Sequence, residues 1–392
     1  MKKFFLIFFV FSKIFSCQLD VDISAKNAIL INAVTGKVLF EKNGLQKVYP
    51  ASLTKVLTIY YVIDEFESEL DRTFIASKNA IKVVKPETKI NSNYRLAPHV
   101  LETDGSHFDL QVSENISLRH LLHGMVISSG NDAANVIAEN ISGSIESFIE
   151  NLNKFLIKKG CKNTCLCNPH GLHIPEHIST AYDLAHIASL AIKNQKFLEI
   201  FSCKYYIRPN TNKQQKKEII TYNKLLKPGK NYYPYAIASK TGYHAKAKYN
   251  LLSLAKKNDR KLIAVVMGCK SNDVRYEDTI KLFNKAFEET KVNKKVLSKD
   301  KMFLAKITGG SSVLKTSLKE DFNIYIYPSE DGLFTANIYW NNIKAPIRKN
   351  KKVATIIVKD SDGNFIKKQS LYAKNNVRRS FFFVLKELFV KS

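Results

Sequence analysis

Three short segments of this chain set side chains at spacings that could support acyl transfer. Ser52-Leu53-Thr54-Lys55 opens a run of helical period, so Ser52 and Lys55 share one face with Cβ atoms roughly 5–6 Å apart. A hydroxyl is a weak nucleophile at neutral pH. A neighbouring amine takes its proton when burial and nearby cations lower the amine's pKa. A helix N-terminus also favours developing negative charge. Ser129-Gly130-Asn131 offers a hydroxyl that can pass a proton to a leaving amine, and an amide that can hold a peptide bond in register. Lys240-Thr241-Gly242 presents a cation and a hydroxyl to a carboxylate, with a glycine that lets a substrate backbone approach the strand edge. Singly, each segment has a plain structural reading: an N-cap with a solvated lysine, an N-cap before a helix at Asp132, and a strand-entry turn.

The flanking patterns supply elements to hold these groups. Alternating apolar runs at 28–33 and 37–41, joined by Val34-Thr35-Gly36, predict two strands. A helix follows from Ser52, with Leu53, Val56, Leu57, Tyr60 and Tyr61 at spacings of three and four. Helices at 118–127 and 133–141 flank the Ser129 turn, and strands at 249–255 and 261–268 form an antiparallel hairpin. An amphipathic helix is expected over 278–290. Strands at both ends of a helical middle predict an α/β (α+β) architecture, a mainly antiparallel sheet flanked by helices. From about Leu297 the texture changes to alternating runs at 322–327, 333–340, 353–358 and 365–372, a small all-β domain.

The order of the three segments matters more than any one of them. S-x-x-K, then a Ser-x-Asn, then K-T-G is the signature shared by penicillin-binding proteins and class A β-lactamases. The surroundings, Pro50-Ala51-Ser52-Leu53-Thr54-Lys55, Ser129-Gly130-Asn131-Asp132-Ala133-Ala134, Asn168-Pro169-His170-Gly171-Leu172 and Ser179-Thr180-Ala181-Tyr182-Asp183, resemble the low-molecular-mass penicillin-binding proteins, the serine-type D-alanyl-D-alanine carboxypeptidases. The resemblance covers 27–290 strongly and continues through Ala345-Pro346-Ile347-Arg348-Lys349 to a similar amphipathic end.

That resemblance implies a penicillin-binding/β-lactamase-like transpeptidase fold over 25–292, a β-rich domain over 297–373, and no cofactor or metal. It implies peptidoglycan stem peptides ending in D-Ala-D-Ala as substrates and β-lactams as covalent inhibitors. Ser52 would be acylated by the penultimate D-Ala carbonyl, with Lys55 as general base and Ser129 as proton relay. Asn131 would orient the substrate amide. Lys240 and Thr241 would hold the terminal carboxylate beside Gly242, with Arg275 as a helper. The backbone amides of Ser52 and Tyr243 would form the oxyanion hole. Two positions depart from the family pattern: His244 stands where Thr is common, and Lys248 where Gly is usual. The same motifs serve D,D-endopeptidases and β-lactamases, although no convincing β-lactamase-type glutamate motif precedes Lys240. A non-catalytic wall-binding scaffold is the alternative of a different class, and the intact Ser52, Lys55, Ser129, Asn131 and Lys240 argue against it.

The ends and the composition point outside the cytoplasm. Lys2 and Lys3 precede an apolar run over 4–12, too short for the ~20 residues that span a bilayer but suited to a signal peptide over 1–17. Cleavage after Ser16 fits, and Cys17 leaves a lipoprotein reading open. Residues 376–392 read as an amphipathic anchor helix, Phe381, Phe382, Val384, Leu385, Leu388 and Phe389 falling mostly on one face. The expectation is a periplasmic enzyme held at the inner-membrane surface. At 45% hydrophobic and 24% charged, the chain is neither disordered nor a multi-span membrane protein. Its net charge of +26 rests on Lys, since only nine of 61 basic residues are Arg, which is poor material for reading nucleic acid. Cys161-x3-Cys165-x-Cys167 lacks a second pair to complete a zinc site, leaving buried thiols or one disulfide.

Overall fold

The computed structural model describes residues 6–10, 18–341, 343–360 and 363–383. Two compact units result, one spanning 18–288 and the other formed by the described residues from 289 onward together with 6–10.

In the first unit the apolar runs become strands because both faces of the sheet are covered. β1 (Asn27–Asn32), β2 (Val38–Lys42), β3 (Ala236–His244), β4 (Lys248–Lys257) and β5 (Arg260–Cys269) form one antiparallel sheet in the order β3-β4-β5-β1-β2. Period-two alternation sends Ile29, Ile31, Leu252, Leu254, Ile263 and Val265 into a core on one side. Ala28, Leu30, Leu251, Leu262, Ala264 and Val266 pack into a second core on the other. A sheet buried on both faces needs near-continuous hydrophobic strands, which is what 261–268 supplies.

The larger core is helical. α1 (Thr54–Phe66), α2 (Leu118–Ile127), α3 (Asn131–Ser142), α4 (Ile145–Lys158) and α5 (Ala181–Ala191) contribute to it. Every residue of α1 from Thr54 to Ile63 is buried, so this helix runs through the unit rather than over it. The opposite face carries α6 (Asn272–Phe287), packed through Tyr276, Leu282, Phe283 and Ala286. This helix starts at Asn272 and not at the expected Asp278. Ser271 caps it, its hydroxyl accepting the Val274 N–H at 3.3 Å, and the polar first turn hid that start from a periodicity reading.

The second unit is a sheet of β-strands, as the alternating runs predict. Its six-stranded sheet runs Leu6–Val10, Phe334–Trp340, Lys352–Asp360, Phe365–Ala373, Leu314–Ser317, Phe303–Ala305, beside a separate pair formed by Val292–Leu297 and Phe322–Ile326. Ala336, Ile338, Ala354, Ile356, Val358 and Leu371 form the middle of its core. The apolar centre of the expected leader lies here as an edge strand, Leu6 opposite Ile338 and Val10 opposite Phe334. The rest of that leader, 1–5 and 11–17, with its cleavage point and Cys17, lies outside the described residues.

At the other end, 376–380 is not helical. Val377 bridges to Ile347 and Arg379 to Gly310, so helix begins only at 381–383. The buried Val377 side chain holds that stretch against the sheet. Most of the expected anchor, 384–392, lies outside the described residues. Among the described residues, no helix is long and apolar enough to cross a membrane.

Candidate active site

Ser52 sits in a single 3-10 turn, Ala51–Leu53, that feeds directly into α1. One turn on, Lys55 is fully buried and donates from Nζ to Ser52 Oγ at 3.1 Å, to Asn131 Oδ1 at 2.6 Å and to the His170 carbonyl at 2.8 Å. Burial drives its pKa well below that of a free lysine. The nearby Lys240 cation pushes the same way, and Asp132 opposes. An amine so placed has a neutral fraction able to take a proton from Ser52.

The second segment is held from α3. The helix starts at Asn131, two residues earlier than its apolar pattern implies, so the buried Asn131 side chain reaches Lys55 from the first turn. Ser129 precedes it with φ +57°, a left-handed conformation uncommon for a residue with a side chain. Its Oγ accepts from Lys240 Nζ at 2.8 Å, which ties the second segment to the third. Lys240 lies on β3, is 2% exposed, and also donates to the Thr241 carbonyl at 3.0 Å. Burial and then the Arg275 charge bring its pKa down to about 7.

Gly242 earns its place by contact with the protein itself. A Cβ there would stand 2.9 Å from the Pro50 carbonyl oxygen and 3.2 Å from the Ser52 nitrogen, so only glycine lets β3 lie against the nucleophile turn. Gly171 is tighter still: at φ +95°, its Cβ would fall 1.9 Å from the Ala51 oxygen. Thr241 is half-buried beside Gly242 on β3. Tyr243 is 55% exposed and lies tilted against Tyr249 with ring centres 4.4 Å apart.

Arg275 faces inward. Its NH1 donates to the carbonyls of Gly242 at 3.2 Å and Asn250 at 3.3 Å, and its guanidinium lies 5.5 Å from the Tyr249 ring centre. In this arrangement it braces the Gly242 strand from behind, with those donors spent on backbone.

Several residues that carry the geometry received no role from the sequence. Asn168 Oδ1 accepts the Gly171 N–H at 2.7 Å, which turns the His170 carbonyl onto Lys55. Asn250 donates to the Tyr49 and Pro50 carbonyls at 2.9 and 3.2 Å, locking the approach to Ser52. Asp132, 2% exposed, accepts the Phe108 and Leu110 N–H groups at 2.7 and 3.0 Å, and burial raises its pKa despite those bonds. His177 Nδ1 accepts the Cys167 N–H, so its proton is on Nε2, 2.8 Å from Thr54 Oγ1, which in turn donates to the Ala51 carbonyl. A usable signal was proximity in sequence for three of them, since Asp132 and Asn168 lie within the quoted segments and His177 two residues before Ser179, whereas Asn250 stands eight residues past Gly242. Cys161, Cys165, Cys167, Cys203 and Cys269 are free thiols, of which Cys161 and Cys269 are buried.

A half-buried serine in the turn that opens a central helix, paired with a buried lysine on that helix and facing a Lys-Thr-Gly strand at the edge of an antiparallel sheet, defines a serine peptidase of the penicillin-binding type. Comparison with known proteins agrees. Residues 14–271 match the family model described as D-alanyl-D-alanine carboxypeptidase, and 292–379 match that of the Penicillin-binding protein 5 C-terminal domain. The D-alanyl-D-alanine carboxypeptidase DacF of Bacillus subtilis is 32% identical over 365 residues, covering 91% of this chain and 87% of that protein. DacC of Escherichia coli is 31% identical over 273 residues, 68% of this chain and 62% of its own length. Penicillin binding protein 5 from Haemophilus influenzae superposes with a TM-score of 0.62 at 26% identity, covering 92% of this chain and 99% of its own. The chain belongs to the D-alanyl-D-alanine carboxypeptidase family, serine hydrolases of cell-wall metabolism.

Proposed function

We propose that the chain removes the terminal D-Ala from peptidoglycan stem pentapeptides through an acyl-enzyme on Ser52. Neutral Lys55 takes the Oγ proton, and Oγ attacks the penultimate D-Ala carbonyl. The amides of Ser52 and Tyr243 hold the oxyanion. As the C–N bond breaks, Ser129 gives its proton to the leaving amine and takes in turn the one held on Lys55, and D-Ala departs. Water then cleaves the ester, freeing the tetrapeptide and restoring Ser52. Asn131 orients the substrate amide, and Lys240 with Thr241 takes the terminal carboxylate, whose charge favours the protonated Lys240. Arg275 supports that carboxylate site by holding the Gly242 strand. β-Lactams enter the same first step and stay bound as esters.

The observation that carries this reading is the 3.1 Å contact between Ser52 Oγ and a wholly buried Lys55 amine. Incubation with labelled penicillin and with a D-Ala-D-Ala pentapeptide tests it. A stable adduct on Ser52 and release of one D-Ala are expected, both lost in Ser52→Ala. Absence of both signals from the intact protein would refute the reading, and rapid penicillin turnover would make the protein a β-lactamase.

The chain is proposed to act in the periplasm after loss of a leader, attached to the inner membrane by its C-terminus. Phe381 and Phe382, 71% and 81% exposed beside Arg378 and Arg379, support that attachment. Deletion of 378–392 is expected to release the protein from membranes into the soluble fraction.

A further inference from the structure

The three segments that clamp Ser52 continue outward into a cluster of four rings that the mechanism above does not use. Tyr49 precedes the Pro50 turn, His173 follows Gly171, and His244 lies two residues beyond Gly242 on β3. His173 meets Tyr49 edge-on at 4.7 Å, Tyr94 edge-on at 5.0 Å and His244 at 5.2 Å between ring centres. Tyr94 is held there at φ +56°, after Asn93 at +50°, an unusual conformation for a bulky residue and one that concentrates at working sites.

Two ring nitrogens are chemically suggestive. His244 Nδ1 accepts the Ala247 N–H at 3.1 Å, so Nε2 carries the proton and is a donor. His173 Nδ1 is buried with no hydrogen-bond partner. The surrounding charge is mostly positive: Lys246 from the β3–β4 turn and Lys89 from the Pro86–Asn91 helix act on His173, opposed by Glu176, and buried His177 lies behind both rings.

We propose that Tyr49, Tyr94, His173 and His244 form a subsite, continuous with the Ser52 cleft, for a side-chain carboxylate on the residue just before D-Ala-D-Ala. This rests on the peptidase reading, which fixes the direction of the peptide. With the terminal carboxylate at Lys240 and the scissile carbonyl at the Tyr243 amide, the acyl side runs outward past His244, about 13 Å along the strand from Lys240 at ~3.3 Å per residue. Burial and the neighbouring His173 hold the His244 pKa down at about 4, and burial with Lys246 lowers that of His173. Both rings are therefore neutral when the site is empty. A seated carboxylate favours the imidazolium, so binding takes up a proton and strengthens as pH falls.

Two acyl-tripeptides that differ only in Glu or Gln before D-Ala-D-Ala test this. The intact protein is expected to prefer the Glu peptide about tenfold in kcat/KM, a difference of about 1.4 kcal/mol. That ratio should rise as pH drops from about 8 to about 6, since the ring pair is what takes up a proton for one peptide and not the other, while Lys240 meets the same terminal carboxylate in both. His173→Gln with His244→Gln should lower the ratio and flatten its pH dependence. As a ratio it is insensitive to any general loss of rate in the variant. A ratio near one in the intact protein, or one unmoved by the variant, overturns the subsite. If labelled penicillin still acylates Ser52 in that case, the peptidase reading stands; no acylation and no D-Ala release overturns both.

Discussion

Residues 18–288 bury Lys55, Lys89, Lys240, Arg208, Arg260 and Arg275, while the described part of 289–392 buries Thr316, Ser317 and Ser329 but no lysine or arginine. Left-handed backbone divides similarly. Ala51, Tyr94, Ser129 and Lys248 adopt it around the cleft, whereas Asn350 is the one non-glycine residue to do so among the described residues from 289 onward. The β-rich unit follows its hydrophobic pattern, with bulges where the register shifts at 352–354, 358–359 and 295–297. The catalytic unit spends part of its core's stability on cations in low dielectric and on turns its side chains resist. Strain and buried charge gather where Ser52 must be activated, and are scarce where the chain need only stand.

The largest break in this contrast should come from Lys55→Met. Removing the amine is expected to lower penicillin acylation and D-Ala release by about 10²–10⁴-fold, the usual worth of a general base. Stability should change little, because a costly buried cation leaves along with its three hydrogen bonds. Stopped-flow acylation and calorimetry together check the pair of outcomes. A large loss of stability with intact acylation would reverse the assignment.

The opposite dissociation is expected from Ile356→Ala in the β-rich core, where Ile356 is fully buried. The cavity should cost that unit about 2–5 kcal/mol. Hydrogen exchange resolved by segment should show the loss over 292–373, with the acylation rate of Ser52 unchanged. If acylation falls as well, the two units share their stability and the contrast fails.

A third measurement concerns Lys240. Its pKa near 7 lies below the free-lysine value, so above neutrality the unliganded site loses its cation. kcat/KM for the D-Ala-D-Ala peptide should then drop about tenfold per pH unit on the alkaline side, because that parameter reports the free enzyme. The limb of kcat should lie higher, since a bound carboxylate favours the protonated amine. Lys240→Arg should move the kcat/KM limb to higher pH, as guanidinium stays charged.

How far the sequence foretells these features depends on whether a property is local. Strand runs at 261–268 and 353–358 and the helix at 118–127 follow from periodicity and turn chemistry, and the structure has elements there. The three chemical segments are short and contiguous, so they too can be read directly. The start of α6 at Asn272 cannot be, because a capping serine and a polar first turn carry no hydrophobic period. Nor can the long-range braces: Asn250 on the Pro50 carbonyl, Asn168 turning a carbonyl onto Lys55, and Asp132 holding 108–110 are single polar residues whose partners only the fold supplies. Nor does the sequence show that a Cβ at Gly242 would meet Pro50 and Ser52, a close approach that only the packed strand creates. Arg275 was read as a carboxylate helper, and its NH1 is turned to backbone carbonyls.

The smallest effect bears on Lys248, a family departure visible in the sequence. It sits at φ +59° as the first residue of β4, where a left-handed conformation costs an L-residue roughly 1–2 kcal/mol and glycine nothing comparable. Glycine also adds freedom to the unfolded chain, which offsets about 0.4–1 kcal/mol of that relief. The net expectation for Lys248→Gly is a gain of about 0.5–1 kcal/mol, read as a higher Tm. The Lys248 side chain is exposed, so its loss removes no buried contact. Acylation of Ser52 by penicillin should keep its rate. A lower Tm would mean that the lysine makes a contact worth more than its backbone strain, and that this turn belongs with the strained, working cleft and is not an incidental departure at its rim.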